Sequence, residues 1–128
     1  MKIEVSIGEV FDKITILEIK QDKITDPIKL SYICDELKVL RDSLDEAEIT
    51  IPDLLYKKLK DINLSLWETE DIIRDKENSC SFDEEFIQHA RLDAKYNDDR
   101  FLVKNEINNY CESEIKEQKS YYGLYTAN

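Results

Sequence analysis

The sequence predicts an all-α fold of four to five helices, two of them long, packed as an antiparallel bundle or an elongated helical hairpin. Three observations predict it. Only two Gly and two Pro punctuate 128 residues, and charged residues make up 37% of the chain. Apolar residues recur at intervals of three and four rather than two, which is the helical period. Turn-rich punctuation of the all-β kind is absent. A chain of this length can bury a core without disulfides or metal, so a single domain over residues 1–128 is expected.

The elements follow in order. Residues 1–5, "MKIEV", alternate apolar and charged positions and read as a short extended lead-in. Ser6 and Glu9 in "SIGE" form an S-x-x-E capping box that starts the first helix. Val10, Phe11, Ile14, Leu17 and Ile24 give it one apolar stripe, and "TDP" stops it. Asp26 before Pro27 supplies an N-cap and a proline at a position whose N–H is unsatisfied anyway. In the second helix Leu30, Ile33, Leu37, Leu40 and Leu44 step by three and four, the spacing of a narrow packing seam. It is too short for an extended coiled coil, so an antiparallel helical pair is expected.

Pro52 restarts the pattern as a long helix through about Glu77, carried by Leu55, Leu59, Ile62, Leu66 and Ile73 and ended by "NSCS". Ser81 and Glu84 form a second capping box. The segment it opens has a potential break at Asn97 to Asp99, and helical spacing resumes from Arg100 to about Gln118. Residues 120–128 read as an aromatic, irregular tail that lies on the body.

Composition narrows the function. A formal net charge of −11 and a pI near 4.6 oppose attraction to nucleic acid or anionic membrane surfaces. Lys and Arg are mixed through every segment, so the acidity reads as solubility rather than DNA mimicry. Cys34, Cys80 and Cys111 are odd in number and lack C-x-x-C spacing, which suits a reducing cytoplasm. No leader-like segment opens the chain and no apolar run approaches membrane-spanning length. The expectation is a soluble cytoplasmic protein with no membrane or nucleic-acid partner. Long helices leave apolar stripes that 128 residues do not fully cover, so a homodimer is a reasonable partner state.

The chemistry concentrates in "NLSLWETEDIIRDKE". At roughly 100° per residue, Tyr56, Asn63, Trp67, Glu70 and Arg74 border the apolar arc of their helix. Amide, aromatic, carboxylate and guanidinium groups partly withdrawn from water need partners or a ligand. Phe82, Phe86, Ala90, Asp93, Asn97, Arg100, Lys104, Asn108, Cys111 and Ile115 fall near one line of the next helix, apolar at both ends and polar between. Packed antiparallel, the two helices bring Asn63, Glu70 and Arg74 to Asp93, Asn97, Arg100 and Lys104 in a polar seam lined by Trp67.

Two chemistries and one inert alternative fit that seam. The first is recognition of a small anionic molecule by Arg74, Arg91, Arg100 and Lys104, with Asn63, Asn97 and Asn108 reading hydroxyls and Trp67 stacking on a ring. It needs no cofactor. The second is a Mg or Mn site built from Glu70, Asp71, Asp93 and Asp98, because oxygen ligands suit hard cations. That set is similar to the paired acidic motifs of all-α nucleoside-triphosphate pyrophosphohydrolases, although "NDDR" stands where a second E-x-x-D element would be. The inert alternative is an ion-pair and amide network that only fixes helix register. His89, the only histidine, gives a histidine-based relay or metal site little to work with, and reads as a satisfied border residue.

"SIGEVFDKITILEIKQDKI", "NLSLWETEDIIRDKE", and "FIQHARLDAKYNDDRFLVKNEIN" followed by "SEIKEQKSY" together resemble a family of small bacterial proteins of unknown function. The resemblance implies a genomic setting near surface-polysaccharide and glycosyltransferase genes, and no established activity. Its pattern falls on Gly8, Glu9, Asp12, Lys13, Thr15, Leu17, Glu18 and Lys20, then on Asn63, Leu66, Trp67, Glu70, Asp71 and Arg74. It continues on Ala90, Arg91, Asn97, Asp98, Arg100, Lys104, Asn108, Ser113, Glu117, Lys119 and Tyr121, with Ala94 standing where the pattern has a tyrosine. It recruits the first helix, whose Asp12 and Thr15 can face the seam from another side, while Glu18 and Lys20 read as a solvated face. The function expected is an accessory binding protein of surface-glycan metabolism that takes a sugar phosphate or nucleotide sugar. Catalysis is left open.

Overall fold

Four helices account for the regular structure of residues 1–120, which the computed structural model describes: α1 Ile7–Lys23, α2 Pro27–Glu46, α3 Asp53–Asn78 and α4 Glu84–Tyr110. Among the described residues there is no strand, and the fold is all-α as the periodicity predicts. The aromatic tail lies outside them from residue 121 onward.

Local signals place the starts. Ser6 caps α1, its hydroxyl accepting the Glu9 N–H at 3.2 Å. Asp26 caps α2, accepting from Ile28 N–H at 2.9 Å and Lys29 N–H at 3.4 Å. The start of α4 differs from the sequence reading: Asp83 rather than Ser81 is the cap, accepting the Phe86 N–H at 3.0 Å, while Ser81 donates to the Asp83 carboxylate. A carboxylate there also favours the positive end of the helix dipole.

The expected break at Asn97 does not occur. With no Gly or Pro in the segment, α4 runs 27 residues without interruption, and Asn97 bonds back to the Asp93 carbonyl at 3.0 Å inside the helix. Nor does helix resume toward Gln118. Cys111 caps the C-terminus, Glu112 takes a φ of 53°, and Ser113 N–H returns to the Asn108 carbonyl at 2.8 Å. Phe82 and Ile115, the apolar ends of the projected stripe, therefore flank α4 rather than belong to it.

The two long helices form an antiparallel hairpin. Lys76 pairs with Asp83 at 2.8 Å beside the connecting turn, and Lys58 reaches Glu106 at 3.5 Å near the far end. Helix α1 lies across this hairpin and packs on every other described helix, whereas α2 packs chiefly on α1. The core forms where α1 crosses: Phe11, Ile14 and Leu17 meet Ile33, Leu37 and Leu44 of α2, Leu59 of α3, and Val103 and Ile107 of α4. Each such side chain contributes roughly 1.5–3 kcal/mol when taken from water. Beyond the crossing, from Glu70 through the turn to Asn97, no residue is buried, so the hairpin projects from the core as a two-helix arm.

Candidate functional site

The polar centre of the molecule is built around a residue of α1. Asp12 is 1% exposed and sits on the side of α1 that faces the α3–α4 hairpin. Asn63 of α3 donates its amide to Asp12 at 2.9 Å and to the Thr15 hydroxyl at 2.9 Å. Arg100 of α4 grips the same carboxylate with both Nε, at 2.8 Å, and Nη2. One turn further along α4, the Lys104 ammonium lies 2.7 Å from Glu9, 2.9 Å from Glu117 and 4.0 Å from Asp12.

The electrostatics follow from this pairing. The Asp12 hydrogen bond holds the Arg100 guanidinium above its ordinary pKa. Burial by itself pulls the Lys104 ammonium down, and the bonds from Glu9 and Glu117 outweigh it, leaving a net rise. Glu9 thereby explains the half-made capping box: its carboxylate is spent on Lys104 rather than on the helix start. Below this layer Asn108, fully buried, accepts the Gly8 N–H at 2.6 Å, and the Ser113 hydroxyl accepts the Ile7 N–H at 3.1 Å. Two of the orphan donors at the start of α1 are satisfied from α4 and the segment after it.

Of the residues expected in the seam, Asn63, Arg100, Lys104 and Asn108 do converge, but on α1 rather than directly on each other. Glu70 turns toward Asp93 across the arm, and Asn97 stays with its own helix. Trp67, half-buried, lines a groove of ≈210 Å³ with Lys20, Asn63, Glu70, Arg100 and the apolar floor Ile16, Ile19 and Leu66. Arg74 is exposed and lines the adjoining groove of ≈490 Å³ with Glu70, Ile73 and Asp93. Arg91 is exposed and lines neither. Asp12, omitted from the seam by projecting two helices alone, is its hub; the signal was its place off the Val10–Ile14–Leu17 stripe. Glu18 also departs from a solvated face, holding the Tyr56 hydroxyl and lying 3.2 Å from Arg41. His89 is not satisfied by the described residues, for its Nδ1 is buried and lacks a hydrogen-bond partner among them.

The four carboxylates considered for a metal do not gather. Successive positions 70 and 71 point about 100° apart, and 93 and 98 about 140° apart, around their helices. Asp71 is exposed and Asp98 buried, and among the described residues no three acid, His or Cys side chains converge to hold an ion. Glu70 and Asp93 do meet. Burial, then the hydrogen bond and charge of Asp93, raise the Glu70 pKa against the opposing pull of Arg100 and Arg74. Protonated, the Glu70 carboxyl is the donor that this side of the arm offers to Asp93, whose buried Oδ1 has no hydrogen-bond partner among the described residues. A raised native pKa favours folding at low pH and loses that contribution as pH climbs through the native value. Glu70→Gln, which mimics the protonated acid, should therefore melt above the parent at pH 7, with the gap closing as the pH falls below the ordinary glutamate range. Thermal melts between pH 3.5 and 8 check this; a gap that widens at acid pH would contradict the raised Glu70 pKa.

Comparison with known families decides the affiliation, since a family model of unknown function, DUF6165, matches residues 1–127. The chain belongs to DUF6165. No curated protein and no solved structure matches it. In this DUF6165 chain no helix among the described residues is long and apolar enough to cross a membrane.

Proposed function

We propose that this DUF6165 protein is a non-catalytic, cytoplasmic binding protein for a small anionic, hydroxyl-bearing molecule of the sugar-phosphate class, serving surface-glycan metabolism. The supporting observation is the groove beside the seam, where one aromatic face and two cations line one wall of modest depth. Asp12 occupies Nε and Nη2 of Arg100, and among the described residues Nη1 has no partner. Lys20 makes no ion pair among them either. A guanidinium held rigid by a buried carboxylate loses little freedom when it takes a ligand oxygen. Trp67 offers its ring to the apolar face of a sugar, and Glu70 offers a carboxyl to its hydroxyls.

Size bears on the choice of ligand. At ≈210 Å³ the groove suits a phosphorylated monosaccharide, and a nucleotide sugar would need the adjoining ≈490 Å³ as well, with Glu70 as the shared wall. The paired cations of the seam favour a second role for the deeper layer, that of fixing how α1 sits on the hairpin. The two roles share Asn63 and Arg100, whereas Lys20 and Trp67 belong to the groove alone. A panel of hexose phosphates and nucleotide sugars, screened by melting temperature, should stabilise the parent by about 2.7 kcal/mol at a hundredfold excess over Kd. Lys20→Ala and Trp67→Ala should abolish the ligand shift while the apo proteins stay folded. Absence of a shift across the panel, with or without magnesium, would overturn the binding reading.

A further inference from the structure

The projecting arm carries a feature that the binding site does not use. From Glu70 to Asn97 neither helix buries a residue, and Phe82 and Ile87 are 57% and 48% exposed. Helix α4 turns Asp93, Asn97 and Arg100 toward the rest of the molecule, which leaves Glu84, Ile87 and Arg91 together on its far side, within about 60° of one another. Among the described residues Glu84 and Arg91 have no ion-pair or hydrogen-bond partner, whereas neighbouring Lys76 is shared by Asp83 and Glu85. An unpaired acid, an apolar residue and an unpaired base thus follow one another along a single exposed line.

We propose that this face of the arm is the contact through which two copies of the chain associate, antiparallel about a two-fold axis between Ile87 and Gln88. Glu84 lies three residues before Ile87, and Arg91 lies three residues after Gln88. An antiparallel pairing on that axis therefore sets Glu84 of each copy opposite Arg91 of the other. Both charged groups gain partners, the interface is isologous, and the two Ile87 side chains come together at its centre. Phe82, at the tip, then reaches past Arg91 of the second copy toward the root of that copy's arm.

The other exposed apolar stripe argues for this assignment by contrast. Ile28, Tyr32 and Val39 on α2 are 71%, 74% and 64% exposed, more than the arm residues. Their line, however, passes through exposed Asp35, and self-pairing about its middle sets Asp35 of each copy against Tyr32 of the other, so the carboxylate gains no partner of opposite sign. A carboxylate covered without a counter-charge opposes association, while the arm sets unlike charges on either side of its apolar centre. The contact is small, so the association expected is weak, with Kd on the order of tens of micromolar.

Sedimentation velocity on the full chain from 5 to 500 µM, in salt sufficient to screen the net negative charge, tests the assignment. The parent should show a monomer–dimer equilibrium. Glu84→Arg and Arg91→Glu, each juxtaposing like charges, should weaken it at least tenfold, and the double exchange E84R/R91E should restore it. Ile87→Asp should also dissociate it, with helical circular dichroism confirming that each variant is folded. A parent that stays monomeric at 500 µM overturns the proposal. So does a dimer that the single reversals leave intact, or a double exchange that fails to recover association.

Discussion

Asp12→Ala should cost about 3–5 kcal/mol of folding stability, as much as truncating a core leucine, because it removes one partner from a buried charge pair and leaves the other uncompensated. Arg100 loses both of its hydrogen bonds to Asp12, Asn63 loses one acceptor, and Lys104 loses its nearest carboxylate on α1 after Glu9. The guanidinium that remains is more than half withdrawn from water, with a side chain 28% exposed. Chemical denaturation of parent and variant measures the effect. A second comparison separates broken pairing from lost packing: Asp12→Leu combined with Arg100→Met should be more stable than Asp12→Ala, since an apolar replacement of both partners leaves no stranded charge. Were Asp12→Ala within 1 kcal/mol of the parent, the hub would be ornamental.

Gly8→Ala should be destabilising by several kcal/mol even though alanine is the better helix former by roughly 1 kcal/mol. The reason is space, not backbone conformation. A β-carbon at position 8 would stand 2.5 Å from the Lys104 carbonyl oxygen and 2.9 Å from the Asn108 Oδ1, and the first of these is backbone that cannot swing away. Relief requires α1 to lift from α4, which stretches the 2.6 Å bond from Gly8 N–H to Asn108 and the 2.7 Å pair of Glu9 with Lys104. Overpacking of this kind costs ~1–3 kcal/mol before the lost hydrogen bond is counted. Equilibrium unfolding, together with a lower melting temperature for Gly8→Ala than for Asn108→Ala, would show that the close approach of helix to helix matters more than the single bond.

Much of the fold was legible because its signals are local. Ser6, Asp26 and the three-and-four spacing of Leu30, Ile33, Leu37, Leu40 and Leu44 act within one or two turns, and each marks its element in the structure. The misreadings also have local causes. Ser81 and Asp83 are both competent caps two residues apart, and only the tertiary pairing of Asp83 with Lys76 favours the later one. Asn97 to Asp99 resembles a turn in composition, yet Lys95 and Asp99 form an i,i+4 pair and Asn97 bonds to its own helix, so the polar run is helix with internal partners.

The candidate site was legible in part for a related reason. A helical projection orders residues around one axis, and it places Asn63 and Trp67 on one helix and Arg100, Lys104 and Asn108 on the next without showing what lies between them. Which helix supplies the opposing charge depends on how α1 crosses the hairpin, and that is set by packing at Gly8 and Asn108, a contact about a hundred positions apart in the chain. The spacing of Asp12 and Thr15 off the apolar stripe was the one trace of it. Glu70 and Asp93, by contrast, follow directly from antiparallel pairing of α3 with α4.

The Ser113 hydroxyl and the Asn108 amide close the opening turn of α1, although some hundred residues separate donor from acceptor. During synthesis the opening turn of α1 accordingly waits for α4 and the segment after it, although α2 and α3 offer its apolar stripe a seat sooner. Contacts so distant slow assembly, because the loop between them must close before they form.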